Sequence, residues 1–149
     1  GFAHDINISH NELSHLNYSG ICIGWGWTKT ITCMKNNMIH ANYIHHFAKN
    51  MYDVGGIYTL SAQPNTEISG NRIEHLEKAP YAHIPDHYQY IYLDEGSSYI
   101  RVKDNWTEKD KFFSNSPGPG NEWLNNGPQV DSVIKENAGL RERYKDLLQ

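Results

Sequence analysis

Cysteine is scarce, basic charge is not in excess, and no long apolar run occurs, and each shortage removes a class of function. The two cysteines, Cys22 and Cys33, cannot supply a disulfide scaffold or a zinc-cysteine site. They are either one disulfide of an exported protein or, as we expect, two small buried residues on neighbouring strands. With 13 Lys and Arg against 17 Asp and Glu, the formal net charge is −4, and the cations are scattered. A nucleic-acid partner is therefore not expected, and strongly anionic polysaccharides are disfavoured. No stretch approaches the roughly 20 apolar residues of a membrane span, and no stretch reads as a signal peptide. The chain opens at Gly1-Phe2-Ala3-His4 and enters strand-like Asp5–Ser9 at once, as expected of a segment of something longer.

What is abundant is tyrosine (ten), histidine (nine), glycine (twelve) and asparagine, with only 38% hydrophobic residues. That composition suits a turn-rich β protein with wet, aromatic surfaces. Sequons at Asn7, Asn17 and Asn105 are compatible with secretion, and a secreted, periplasmic or cell-surface location is expected.

Internal repetition decides the fold. Ile8–His15, Ile39–His46, Ile68–His75 and Val102–Lys109 share the pattern aliphatic-x-x-Asn-x-x-x-(His/Lys), with the asparagines 31, 29 and 34 residues apart. The pattern predicts an all-β chain, a right-handed parallel β-helix in which each coil is a short strand, a turn at Asn, a second strand and a longer excursion. Asn tolerates the left-handed backbone that such a turn demands, and stacked Asn side chains can bond from coil to coil. An antiparallel sandwich would use Asn-Gly or Asp-Gly hairpins, and residues 1–109 contain neither. The coils are expected over 1–109. Residues 110–149 are expected to be a loop through Phe112–Gly120 and a helical capping tail at Asp131–Asn137 and Leu140–Leu148, with Gly139 as a helix terminator. Leu76 to Gln89 is expected to be an insertion.

Three strand-glycine stretches carry the candidate chemistry: Gly20–Trp27, Tyr52–Gln63 and Tyr90–Ser98. Asp53 and Asp94, 41 residues apart, fall on adjacent coils on one side of the solenoid. Glycoside hydrolysis normally needs two carboxyl groups, one to protonate the leaving oxygen and one to act as nucleophile or to activate water. The plainer alternative is that Asp53 is a turn residue and Asp94 a strand-end cap. Glu95 can stand in for Asp94, because aligning Ile57 with Ile91 puts Asp94 opposite Leu60 rather than Asp53. Sugar rings lie on indole and phenol faces, so Trp25, Trp27, Tyr58, Tyr90 and Tyr92 are candidate cleft walls, and Gln63, His46 and His87 candidate polar contacts. No metal or cofactor is expected: the histidines lack zinc spacing, and several sit four after the repeat Asn, which suggests a stacked structural role.

The combination Tyr52-Asp-Val-Gly-Gly-Ile-Tyr-Thr-Leu-x-Ala-Gln-Pro, then Tyr92-Leu-Asp-Glu-Gly-Ser-Ser, and finally Ala138-Gly139-Leu140 resembles bacterial right-handed parallel β-helix glycosidases, most closely glycoside hydrolase family 141, a family of α-L-fucosidases and xylanases. The resemblance implies two catalytic aspartates, carried over as Asp53 and Asp94, and an oligo- or polysaccharide substrate. Family members are several hundred residues long, which implies that this chain is a C-terminal portion, with the rest of the parent β-helix as its partner. Val54 departs from the family, where a third glycine is common. A non-catalytic carbohydrate-binding or structural β-helix module is the alternative. A polysaccharide lyase ranks third, since no acidic calcium cluster lies beside a basic residue.

Overall fold

A three-residue strand has no stable partner within its own coil, so each strand here is completed by its counterpart one coil away. The computed structural model describes residues 3–148. Its first sheet stacks β1 (Asn7–Ser9), β4 (Met38–His40), β7 (Ala62–Ser69), β10 (Ser98–Lys103) and β13 (Glu122–Leu124). The second stacks β2 (Glu12–Ser14), β5 (Tyr43–Phe47), β8 (Arg72–Leu76) and β11 (Trp106–Thr107), and the third β3 (Ile21–Ile23), β6 (Val54–Thr59), β9 (Tyr88–Leu93) and β12 (Phe112–Ser114). All pairings between these strands are parallel. The chain visits the three sheets in turn, which is a parallel β-helix of four coils with β13 beginning a fifth.

Registry puts like residues over like. Ile8, Ile39, Ile68, Val102 and Trp123 form one inward column; Ile21, Ile57, Ile91 and Phe112 form another. Ile39, Ile57, Ile68, Ile91 and Val102 are fully buried. Each such side chain contributes about 1.5–3 kcal/mol relative to an exposed one.

At the corner between the first and second sheets, the asparagine side chains form a continuous ladder. The amide nitrogen of Asn42 donates to Oδ1 of Asn71 at 3.0 Å, that of Asn71 to Asn105 at 2.8 Å and that of Asn105 to Asn126 at 2.8 Å. The backbone N–H of each also donates to the next Oδ1. The left-handed residue of this turn is the one before each asparagine: His10, Ala41, Gly70, Asp104 and Asn125 have φ between 51° and 63°. This corrects the expectation that Asn itself takes that conformation, and it shows that Asn is required at these positions for its amide. Asn105 is fully buried in the ladder, so its sequon is closed to glycosylation.

The boundary expected at Lys109 is also corrected. β12 and β13 continue the third and first sheets, and Asn126 is a fifth ladder member. This last coil has no excursion, so its spacing drops to 21 residues and escapes a search for a period near 30. The tail begins with α1 (Ser132–Asn137), whose N-cap Asp131 accepts from the N–H of Val133. It docks on the flank of the second sheet: Lys135 Nζ lies 3.9 Å from the centre of the Trp106 ring, and Gly139, at φ 91°, donates its N–H to Ala41 O at 2.8 Å. The helix ends at Ala138, whose backbone is extended, and Gly139 allows the close approach, since a Cβ there would lie 3.0 Å from that of Tyr43. A 3-10 segment, Glu142–Leu148, follows. Cys22 and Cys33 are free and exposed, against both sequence-based readings of the pair.

At the next corner His15, His46 and His75 stack ring on ring, with centroids 4.9 and 4.6 Å apart, each with left-handed backbone. Burial first, and then the neighbouring His75, His45 and His15, hold the His46 pKa below its ordinary value, with Glu77 opposing.

Two outcomes follow for stability. Asn71→Ala removes the side-chain acceptor of the buried Asn42 N–H and the side-chain donor to Ile39 O and cuts the ladder on both sides, at about 1–3 kcal/mol for each group left unpaired, so chemical denaturation should show a loss of about 3 kcal/mol, and a far smaller one for the exposed end member, Asn11→Ala. Because folded His46 binds its proton less tightly than unfolded His46, its contribution is complete above roughly pH 6.5 and is lost as pH falls through the lower folded value. Thermal midpoints should therefore drop more steeply on acidification in the parent protein than in His46→Asn, whose side chain tolerates the same backbone; equal slopes would contradict this.

Candidate active site

The outer face of the third sheet carries aromatics. After Ile57 and Ile91, which face inward, Tyr58 and Tyr92 sit side by side and point outward with Phe113, in register with Cys22. Gly55 makes room for this row, since a Cβ there would fall 3.0 Å from that of Tyr92. Tyr90 joins Ile91 in the interior cluster, so side-chain alternation is interrupted and Tyr90 is not a cleft wall; its hydroxyl donates to Glu108 instead.

Asp53 enters from just before β6, in the left-handed conformation (φ 59°) that Asp tolerates better than most residues. The Tyr18 hydroxyl donates to its backbone carbonyl at 2.8 Å. Its Oδ1 accepts from Tyr92 at 3.0 Å and from His87 Nδ1 at 2.9 Å, while Oδ2 accepts from none of the described residues. The Asp53 side chain remains 43% exposed. Asp94 follows β9 as the first residue of a tight turn, in which Ser97 N–H returns to Asp94 O. Gly96 has φ 78° and packs on the backbone of Thr28, where a Cβ would collide. Asp94 is only 4% exposed, and both its oxygens are held, one by the Tyr58 hydroxyl and one by the Asn115 amide at 2.8 Å.

Trp25 and Trp27 form the facing wall, with rings 4.6 Å apart and 59% and 51% exposure. Their loop is fixed by Ser61, which donates to Trp25 O and accepts from the N–H of Thr28. Gly24 passes so close to Leu60 O that no Cβ would fit.

These parts enclose a groove of about 470 Å³ lined by Asp53, Asp94, Glu95, Trp25, Trp27 and Tyr58, with His87, Tyr18 and Asn115 at their sides. No lysine or arginine lines it among the described residues. Burial, followed by the nearby carboxylates, pushes the Tyr58 and Tyr92 pKa values well above the ordinary phenol value; Tyr18 is pushed up to about 12 by burial first and then by neighbouring negative charge, Asp53 included. All three phenols therefore remain O–H donors, and two of them hold the two acids. A larger hollow, 760 Å³, lies between the tail and β2, β5 and β8 and contains none of the residues singled out as catalytic.

The groove thus unites Asp53, Asp94, Glu95, Trp25, Trp27, Tyr58 and His87, with Tyr92 beneath them. Besides Tyr90, two sequence-based candidates are not part of it. Gln63 is fully buried, and its amide donates to Ile23 O and Leu60 O, tying two coils together. His46 belongs to the histidine stack at the far corner. Asn115 was missed because Phe112–Ser116 reads as a loop; the 21-residue step from Asp94 to Asn115, equal to that from Asn105 to Asn126, is the signal that places it.

No family model matches the chain. No curated protein matches it. A solved structure described as "Glycoside hydrolase" is similar to it, at 57% sequence identity and a TM-score of 0.93 over 95% of this chain. The matched region is 24% of that protein, so the chain spans about a quarter of its length.

Proposed function

We propose that this chain is the carboxylate-bearing part of a glycoside hydrolase acting on an oligo- or polysaccharide, with Asp53 and Asp94 as the catalytic pair. The observation that carries the reading is the convergence of these two acids, from adjacent coils, in one groove faced by exposed tryptophans. The likeness to a protein named glycoside hydrolase supports it independently.

Asp94, fixed at both oxygens, is positioned to meet the positive charge that develops on the sugar ring as the glycosidic bond breaks. Asp53, whose Oδ2 has no partner among the described residues and whose side chain is partly open to solvent, passes a proton to the leaving oxygen and takes one from the incoming water in this reading. Tyr92 and His87 hold its other oxygen. Glu95 lies at the rim, where it can contact a neighbouring sugar. A groove with three acids and, among the described residues, no lysine or arginine favours neutral sugars, which agrees with a fucosidase- or xylanase-like specificity. We also place the protein outside the cytoplasm, where such polymers are met.

The test is reducing-sugar release from fucosylated oligosaccharides and xylan. Asp53→Asn and Asp94→Asn should each lower kcat by roughly 10²–10⁴-fold, with thermal melting and glycan binding retained. Full turnover in both variants would refute the assignment, and binding without turnover in the parent protein would make the chain a binding module. Trp25→Ala should raise KM by roughly tenfold with a smaller change in kcat.

A further inference from the structure

The connection after β8, residues 77–87, lies between two hollows. On one side it gives Ile84 and His87 to the acidic groove; on the other it gives Lys78 to a second hollow of about 530 Å³, completed by Lys109 and Lys111 from the connection between β11 and β12. Lys109 and Lys111 lie two residues apart on one connection, and the coil stacking brings Lys78 to this pair. None of them takes part in an ion pair among the described residues. Of the acids that line the hollow, Glu108 is occupied: its Oε2 accepts from the Tyr90 hydroxyl at 3.1 Å and from the His75 N–H at 3.0 Å. Glu77 is the other.

Burial, and then Lys78 and Lys109, push the Lys111 pKa down, with Asp86 opposing. Holding a partly desolvated ammonium beside two more costs free energy that an anionic ligand would offset. Lysine ammonium groups are point charges suited to oxyanions. The net charge of −4 does not forbid this, because charges farther away than about 8–10 Å are screened at physiological salt.

We propose that the hollow formed by Lys78, Lys109 and Lys111 binds an oxyanion, a sulfate ester or uronate carboxylate decorating the glycan whose neutral linkage lies in the Asp53–Asp94 groove. The identity of the glycan rests on the glycosidase reading; oxyanion binding at the lysines does not. The substrate class is then a mixed polymer, neutral where it is cut and acidic at a flanking residue.

The experiment is a titration of the Asp53→Asn protein with sodium sulfate, sodium glucuronate and glucose, following the lysine ε-carbon signals by NMR. Saturable shifts at Lys78, Lys109 and Lys111, absent at Lys145 and absent with glucose, are expected. The anion that saturates at the lower concentration identifies the decoration as sulfate or carboxylate. In a Lys109→Gln, Lys111→Gln double variant the affinity should fall by at least roughly tenfold. Non-saturable shifts, equal shifts at Lys145, or unchanged affinity in the double variant would overturn the proposal. Because the readout is made without turnover, its failure would leave the role of Asp53 and Asp94 standing, and its success would not establish that role.

Discussion

The hydrogen-bonded column of asparagine amides fixes everything else in this molecule. A buried amide that is satisfied above, below and by backbone at each coil cannot slip by one residue without leaving polar groups unpaired in the interior. Registry between coils is thereby set at one corner, and the parallel strands carry it to the other two. The inward isoleucine columns supply most of the burial, but a column of similar apolar side chains tolerates sliding far better than a ladder of directional bonds does.

Function inherits that registry. Asp53 precedes β6 and Asp94 follows β9, so the two acids stand at opposite ends of neighbouring strands; both line one groove, with Tyr92 reaching back to hold the first and Tyr58 reaching forward to hold the second. Tyr58 lines the groove and Tyr92 lies buried beneath it, and the two phenols are the donors that orient both carboxylates. Burial keeps those phenols protonated. The same stacking brings three lysines together on the other side of the 77–87 connection. A single constraint, coil on coil, thus adds Asp53 to the Asp94-Glu95 pair in an acidic groove and Lys78 to Lys109 and Lys111 in a basic hollow.

The coil architecture was legible in the sequence because its determinants are periodic. Ile39, Ile68 and Val102 recur with Asn42, Asn71 and Asn105, and no alternative fold requires that coupling. Asp53 and Asp94 could be singled out as candidates because glycines and aromatics flank them. What the sequence concealed depends on irregularity or distance. The 21-residue coil hid β12, β13 and Asn115, since its repeat lacks the excursion that set the other spacings. Gln63 looked like a groove residue beside Tyr58, yet its orientation depends on the turn at Ser61, whose backbone is left-handed (φ 64°). Tyr90 and Tyr92, two apart and both expected to wall the cleft, part company: Tyr90 packs with Phe47 in the interior cluster, while Tyr92 packs with Tyr58 on the other face. His46 was read both as a possible ligand contact and as one of a stack, and its place in the column follows from the repeat itself.

The most direct measurement is a crystal structure of the Asp53→Asn protein with a fucosylated or xylan oligosaccharide bound. A sugar ring should lie against Trp25 or Trp27, with the glycosidic oxygen within roughly 2.6–3.2 Å of the residue 53 side chain and the ring carbon it links facing the Asp94 carboxylate. A glycan seated away from this groove, or one whose glycosidic oxygen lies beyond reach of both positions, would contradict the assignment of these two acids to its hydrolysis.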